Sequence, residues 1–304
     1  MNKISLLHKI QKLYENDNIN IIQYLKEVSN MKQNTTEDIM ISYDFQAGNY
    51  VESYLKDMKK KEIFLSRLVN VFETLPGRKL TTFEPGVGEA TTLVPFVNML
   101  NREIYAGGGD ISWSRIKTAQ KFAQEYLSKN LRGVDLVMAD MFSLPFADDS
   151  VDVVYTVHAM EPNGGHETEL MQELYRITGE YLILLEPAYE LAGMKERERM
   201  ERNGYVRALY QTAKSLGYHI LMWELYGESV NPMNPTGIMI IEKHPNKERT
   251  NEFKFSCPMT KARLEQIGNV YYSRESLLAY PIINDVPCLM EEYAVVATKM
   301  MDLV

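Results

Sequence analysis

Residues 83–90 read Phe83-Glu84-Pro85-Gly86-Val87-Gly88-Glu89-Ala90, and the fold turns on how they are read. The segment Leu80-Thr81-Thr82-Phe83-Glu84-Pro85 is short, rich in β-formers and ends in a turn. Gly86 and Gly88 then let the main chain bend sharply and let a ligand approach it closely. A helix follows, and the free N–H groups of its first turn point at the same place. A Gly-x-Gly alone also describes a tight strand-to-helix turn with no ligand, so the flanking pattern has to decide.

Downstream, apolar strand-like runs at 104–108, 134–139, 151–157, 181–185, 219–225 and 237–242 alternate with helical patterns at 112–127, 166–178 and 189–216. This alternation predicts a Rossmann-like α/β fold, with a mostly parallel seven-stranded sheet and helices on both faces. Val151–Val157 has the continuous apolar character of a strand buried on both sides. Upstream, apolar residues recur at helical spacing, and a long helical pattern runs from Phe45 to Leu75 before Pro76-Gly77. Three parts are expected: an N-terminal helical cover over 1–75, an α/β domain over 76–243, and a small α+β appendage over 250–304. The polar stretch from His244 to Glu252 reads as the linker.

Two further carboxylates strengthen the ligand reading of the loop. Asp110 closes the second strand in Gly107-Gly108-Gly109-Asp110-Ile111, where an acidic acceptor suits a ribose diol. Asp140 closes the third in Val137-Met138-Ala139-Asp140-Met141, where an acceptor can receive an adenine amino group. Ile111 and Met141 then fall near the ring faces. Glu84, Asp110 and Asp140 thus sit at the carboxyl ends of three successive strands, the edge at which open α/β sheets bind ligands.

This succession resembles the class I methyltransferase family. The resemblance covers roughly residues 40–243 and implies S-adenosylmethionine as cofactor. In that family the first acidic residue and the glycine loop hold the methionine part, the second strand tip the ribose and the third the adenine. Matched by position, these roles fall on Glu84, Gly86 and Gly88, then Asp110 with Ile111, then Asp140 with Met141. The run Leu144 to Val154 also resembles the family's approach to its fourth strand. One departure is noted: Glu89 is read as standing in place of the frequent third glycine. A dinucleotide oxidoreductase is the competing reading, but its Gly-x-Gly-x-x-Gly fingerprint would need glycine where Thr91 stands.

The segment Thr156 to His166 follows the fourth strand and is expected to face the methyl acceptor. His158 is the candidate base, having an ordinary pKa near neutrality, although a strand-end histidine can also serve only to orient its surroundings. Glu161 could bind the acceptor or cap the loop, and His166 is read as starting the next helix. The segment lacks the Asn/Asp-Pro-Pro-Tyr/Phe of methyltransferases that act on planar base amines. A hydroxyl or amine of a small molecule or sugar is therefore the expected acceptor, with a protein side chain the remaining option. Tyr43, Gln46 and Tyr50 are candidates for closing the cofactor site from the N-terminal cover. Glu186-Pro187-Ala188-Tyr189-Glu190 is another loop expected to face the site.

Phe255-Ser256-Cys257-Pro258-Met259-Thr260 and Tyr280 to Pro287 resemble the small zinc-ribbon-like domain of methyltransferase activator subunits. Cys257 matches one metal ligand of that domain, but Thr260, Ser273 and Ser276 occupy the other three positions and Cys288 lies off the pattern. Hydroxyls are poor zinc ligands, so no structural zinc is expected. The appendage is read as a substrate-gating module or a site for a protein partner. With that partner in mind, a cofactor-binding but non-catalytic subunit is kept as a second class of function.

Composition narrows the field further. The chain of 304 residues carries a formal charge of −8, which argues against a nucleic-acid partner. The Lys59-Lys60-Lys61 run is the clearest local exception, read as a solvated helix face with a substrate or partner contact as the alternative. With only two cysteines, no disulfide framework is implied. The first residues lack the form of a signal peptide and no apolar run has the length of a membrane span, so a cytoplasmic location is expected.

Overall fold

A computed structural model describes residues 3–17, 19–29, 35–77, 79–128, 133–227, 231–243 and 253–303. The predicted linker, His244 to Glu252, lies outside them. The N-terminal part is helical: α1 (Lys3–Asp17), α2 (Ile21–Ser29), α3 (Thr36–Phe45), α4 (Asn49–Lys56) and α5 (Met58–Thr74). Ile10, Ile21, Leu25 and Ile41 bring the first three together in a small core of their own. Thr35 starts α3 with a capping box, its side chain accepting from the Asp38 N–H while the Asp38 carboxylate accepts from the Thr35 N–H. The single helical pattern predicted over 45–75 is broken twice. Gly48, at φ 106°, turns the chain between α3 and α4, and Asp57, at φ −152°, separates α4 from α5 and caps α5 by accepting from the Lys60 N–H.

The α/β part follows the predicted alternation: β1 (Lys79–Pro85), α6 (Leu93–Met99), β2 (Glu103–Asp110), α7 (Trp113–Tyr126), β3 (Val134–Met138), β4 (Val151–Val157), α8 (Glu167–Ile177), β5 (Thr178–Pro187), α9 (Met194–Asn203), α10 (Leu209–Ser215), β6 (His219–Leu225) and β7 (Thr236–Glu242). The strands form one seven-stranded sheet in the order β3-β2-β1-β4-β5-β7-β6. All pairs are parallel except those made by β7, which is antiparallel to both β5 and β6. The order reverses between β1 and β4, so their carboxyl ends open into a crevice. Alternate side chains feed two cores, Leu80, Val153, Tyr155 and Ile183 on one face and Phe83, Val154, Leu182 and Leu184 on the other. The long helix predicted over 189–216 is instead a 3₁₀ turn, α9 and α10. Gly204, in the left-handed region at φ 72°, stops α9.

The C-terminal segment folds into β8 (Glu265–Ile267), β9 (Val270–Ser273), β10 (Leu278–Ile283), β11 (Val286–Pro287), β12 (Val295–Val296) and a final turn α11 (Met300–Leu303). It docks on the outer edge of the large sheet. The Leu289 N–H donates to the Met138 carbonyl at 2.8 Å, and Cys288 forms a parallel bridge with Met138. An edge strand that would otherwise offer unpaired main-chain groups is thereby covered. Phe253 packs edge-on against Phe83, Tyr105 and Phe146, and a Cβ at Gly107 would come within 2.7 Å of its ring. Gly107 therefore leaves the shelf on which the appendage rests.

Inside the appendage the Cys257 sulfur is buried among hydroxyls, 3.1 Å from the Tyr280 oxygen and 3.5 Å from that of Ser276, with the Thr260 N–H also 3.5 Å away. Burial pushes the thiol pKa up, but these hydrogen bonds outweigh it and bring it down to about 7. Ser273, fully buried, accepts from the Ser276 N–H. Cys288 lies elsewhere, directed at the Val286 carbonyl.

Candidate active site

The crevice at the β1/β4 switch is a cavity of about 560 Å³, within the ordinary range for ligand pockets. Its floor is the loop after β1. Gly86, Gly88 and Ala90 all have positive φ, at 71°, 56° and 58°. The residue standing in the third glycine position is therefore Ala90 rather than Glu89. A Cβ there costs about 1–2 kcal/mol in the left-handed region, which its full burial in the core offsets. The loop is hooked onto β2 by the Gly86 and Val87 N–H groups, which both donate to the Gly109 carbonyl. A Cβ on Gly86 would sit 2.4 Å from that of Ala159, so the close approach of the loops after β1 and β4 requires glycine.

The three strand-end carboxylates take up the predicted line. Glu84 is buried and accepts from the Tyr155 hydroxyl at 2.8 Å. Burial pushes its pKa up and that of Lys61 down, and the attraction between the two only partly opposes both shifts. Lys61 also donates to the Thr92 hydroxyl at 2.7 Å. Asp110 accepts from the Gly88 and Ser112 N–H groups at 3.0 and 2.9 Å, and burial raises its pKa. Asp140, with Ile111 and Met141, lines a second, smaller cavity of about 50 Å³ that shares Tyr43, Gly86, Asp110 and Ala159 with the first. Phe142, Pro162 and Asn163 complete its apolar slot.

The N-terminal cover is latched over this floor by two carboxylates working in opposite directions. Glu89, from the loop, accepts from the Gly48 and Val51 N–H groups at 2.9 and 2.8 Å, capping α4. Asp44, from the end of α3, accepts from the Ser114 N–H and from the Ser112 and Ser114 hydroxyls, at 3.0, 2.7 and 2.9 Å, capping α7. Between the latches lies Arg115. Its guanidinium packs under the rings of Tyr43 and Tyr50, at 4.1 and 4.7 Å, and its Nε donates to the Tyr43 carbonyl. Its Nη2 is buried and has no hydrogen-bond partner among the described residues.

Of the cover residues predicted for the site, Tyr43 and Tyr50 line the cavity. Gln46 lines neither cavity. Its amide donates to the Ser42 hydroxyl, one turn back in α3. Sequence reasoning missed Arg115, although a signal was present: Arg115, Ala119 and Phe122 share one buried stripe of α7, where a charged residue is out of pattern.

His158 lines the cavity, but both ring nitrogens are engaged. Nδ1 lies 2.7 Å from Glu161 and Nε2 2.8 Å from the Thr236 hydroxyl. With Nδ1–H donating to the carboxylate, Nε2 accepts from the Thr236 hydroxyl, so both ring nitrogens tie His158 to its neighbours. Glu161 lines neither cavity and also accepts from Asn234 at 2.8 Å. Burial raises its pKa, but the bonds from His158, Tyr205 and Asn234 outweigh that and lower it. His158 sits at φ 53°, and Glu186 holds this turn from below by accepting the Ala159 and Met160 N–H groups. These residues form one network that fixes the loop after β4. His166 caps α8 by position, as expected.

Residues 83–180 match the family model described as a methyltransferase domain. Over this stretch the chain is similar to methyltransferase domains. No curated protein matches the chain. Among solved structures it is similar to magnesium protoporphyrin IX methyltransferase from Synechocystis PCC 6803 with bound SAH, at 13% identity and TM-score 0.49, covering 78% of this chain and 99% of that one. It is also similar to a SAM-dependent methyltransferase from Methanosarcina mazei, at 14% identity and TM-score 0.49, over 58% of this chain and 98% of that one. A third similarity is to a complex of the Haloferax volcanii Trm112 methyltransferase activator with its putative methyltransferase, at 16% identity and TM-score 0.48, over 64% and 94%.

The residues present suit the cofactor. The positive-φ loop leaves room against the main chain, Asp110 offers carboxylate oxygens to a diol, the smaller slot suits a planar ring, and the orphaned Arg115 Nη2 awaits an anion. When bound, S-adenosylmethionine supplies a methyl group activated by its sulfonium. Among the described residues no helix is long and apolar enough to cross a membrane, and no group of His, Cys, Asp and Glu could hold a metal.

Proposed function

We propose that the chain transfers the methyl group to a hydroxyl or amine of a small molecule or sugar. The supporting observation is the cavity of about 560 Å³ that joins the glycine loop, Asp110 and the segment after β4, a size ordinary for small-molecule ligands. Glu84, Gly86, Gly88, Asp110, Ile111, Asp140 and Met141 hold the cofactor, with Tyr43 closing it from above. Catalysis is chiefly alignment, since a displacement at a methyl carbon needs the acceptor lone pair in line with the breaking bond. His158 and Glu161 act as positioning residues for the loop beside the transferred methyl, in place of the base role expected for His158. Calorimetry with S-adenosylhomocysteine and, separately, NADH tests the reading. Binding of the former alone is expected, weakened roughly 10- to 150-fold in Asp110→Ala, as the loss of hydrogen bonds to a charged acceptor implies. Binding of NADH alone would overturn it.

A further inference from the structure

The Lys59-Lys60-Lys61 run falls in the first turn of α5, a 17-residue helix with no acidic residue in that turn. Cations are misplaced there, because a helix N-terminus already carries partial positive charge. A local rule broken in this way points to a use elsewhere. Lys60 and Lys61, together with Lys56 at the end of α4, line the 560 Å³ cavity, whereas Lys59 does not. Neither Lys56 nor Lys60 has a side-chain hydrogen bond or ion pair among the described residues. The carboxylates around the same space are engaged elsewhere: Glu89 caps α4, Asp110 receives two backbone N–H groups, Asp57 caps α5 and Glu84 holds Tyr155. On the floor, the buried Arg115 Nη2 has no hydrogen-bond partner among the described residues and is matched to the cofactor itself. The cofactor brings one carboxylate, for which Arg115 and Lys61 suffice. Lys56 and Lys60 are then left over at the lip of the cavity.

We propose that the methyl acceptor carries an oxyanion, phosphate or carboxylate, which docks against Lys56 and Lys60 at the α4–α5 junction. The inference rests on reading the cavity as the methyl-transfer site. An oxyanion there would complete the charge that α5 concentrates, and Asn231 and Thr91, also lining the cavity, would meet the uncharged part of the acceptor. The cation pair would orient the acceptor by its charged end and leave its nucleophile facing the floor.

The test uses the full chain saturated with S-adenosylhomocysteine, into which inorganic phosphate and, separately, acetate are titrated by calorimetry. Saturable binding of at least one is expected. Lys56→Glu and Lys60→Glu should each weaken it about tenfold or more, while Lys59→Glu, with the same change of charge on the same helix, should change it less than about twofold. All three lysines are exposed or half-buried, so their variants should fold. Phosphate bound in preference to acetate assigns a phosphorylated acceptor, and the reverse assigns a carboxylic acid. Absence of saturable binding, or equal weakening by all three variants, overturns the proposal. Failure of the wild-type protein to bind S-adenosylhomocysteine would instead refute the methyl-transfer reading beneath it.

Discussion

Glu89→Gln isolates the latch between the cofactor loop and the cover. The glutamate uses both oxygens, one on the Gly48 N–H and one on the Val51 N–H, and is almost fully buried. Glutamine keeps its volume and one acceptor oxygen but turns the other into a donor facing an N–H. One bond is lost and the other loses its charge. With hydrogen bonds to charged groups contributing about 1.5–3 kcal/mol, the change costs the closed cover roughly 2–3 kcal/mol. That corresponds to an opening equilibrium roughly 30- to 150-fold larger. Hydrogen exchange of the Gly48 and Val51 amides reads this directly, since exchange through local opening scales with that equilibrium. Affinity for S-adenosylhomocysteine should fall only in proportion to the closed fraction lost, and strands β4 and β5 should keep their protection. If the two amides exchange within about threefold of wild type, Glu89 does not hold the cover and the latch is wrong.

Other outcomes follow from the network after β4. Burial raises the Glu186 pKa from 4.5 to about 7. The folded state then holds the proton more tightly than the unfolded one, so stability falls as pH rises from about 4.5 to about 7 and is flat above. Glu186→Gln should match wild type near pH 4.5 and exceed it by about 3 kcal/mol above pH 7 in denaturant titrations; a difference independent of pH would refute the shift. His158→Asn, with a residue that tolerates positive φ, should lower the melting temperature yet leave S-adenosylhomocysteine formation from a small-molecule extract within about tenfold. A loss of about 10²–10⁴ would restore it as the base. Gly107→Ala should displace Phe253 and speed proteolysis of residues 253–303 without unfolding the large sheet; unchanged digestion would show that the shelf is not needed.

The α/β alternation was legible because fully buried strands such as Val151–Val157 leave a continuous apolar run, and the three strand-end carboxylates were legible because each closes such a run. The helix breaks were less so. Asp57 is an N-cap inside a pattern whose apolar spacing continues across it, and only the observed φ and the bond to Lys60 reveal it. At Gly204 the charged sequence on either side carries too few apolar residues to show a change of direction. The third position of the loop was misplaced by one residue, since Ala90 adopts a conformation that its identity does not announce. The surroundings of His158 could not be read from sequence because they include Thr236 directly and Asn234 through Glu161, more than seventy residues away.

The docking of Leu289 on Met138 also sets an order of events during synthesis. β3 leaves the ribosome roughly 150 residues before the strand that covers it, an interval of about 8–30 s at ordinary elongation rates. Throughout that time the nascent sheet presents an open edge and a bare glycine shelf at Gly107. The appendage is therefore the last piece to arrive and the one that makes the sheet safe to release, and a chain terminated before Phe253 would enter the cell with a strand still looking for a neighbour.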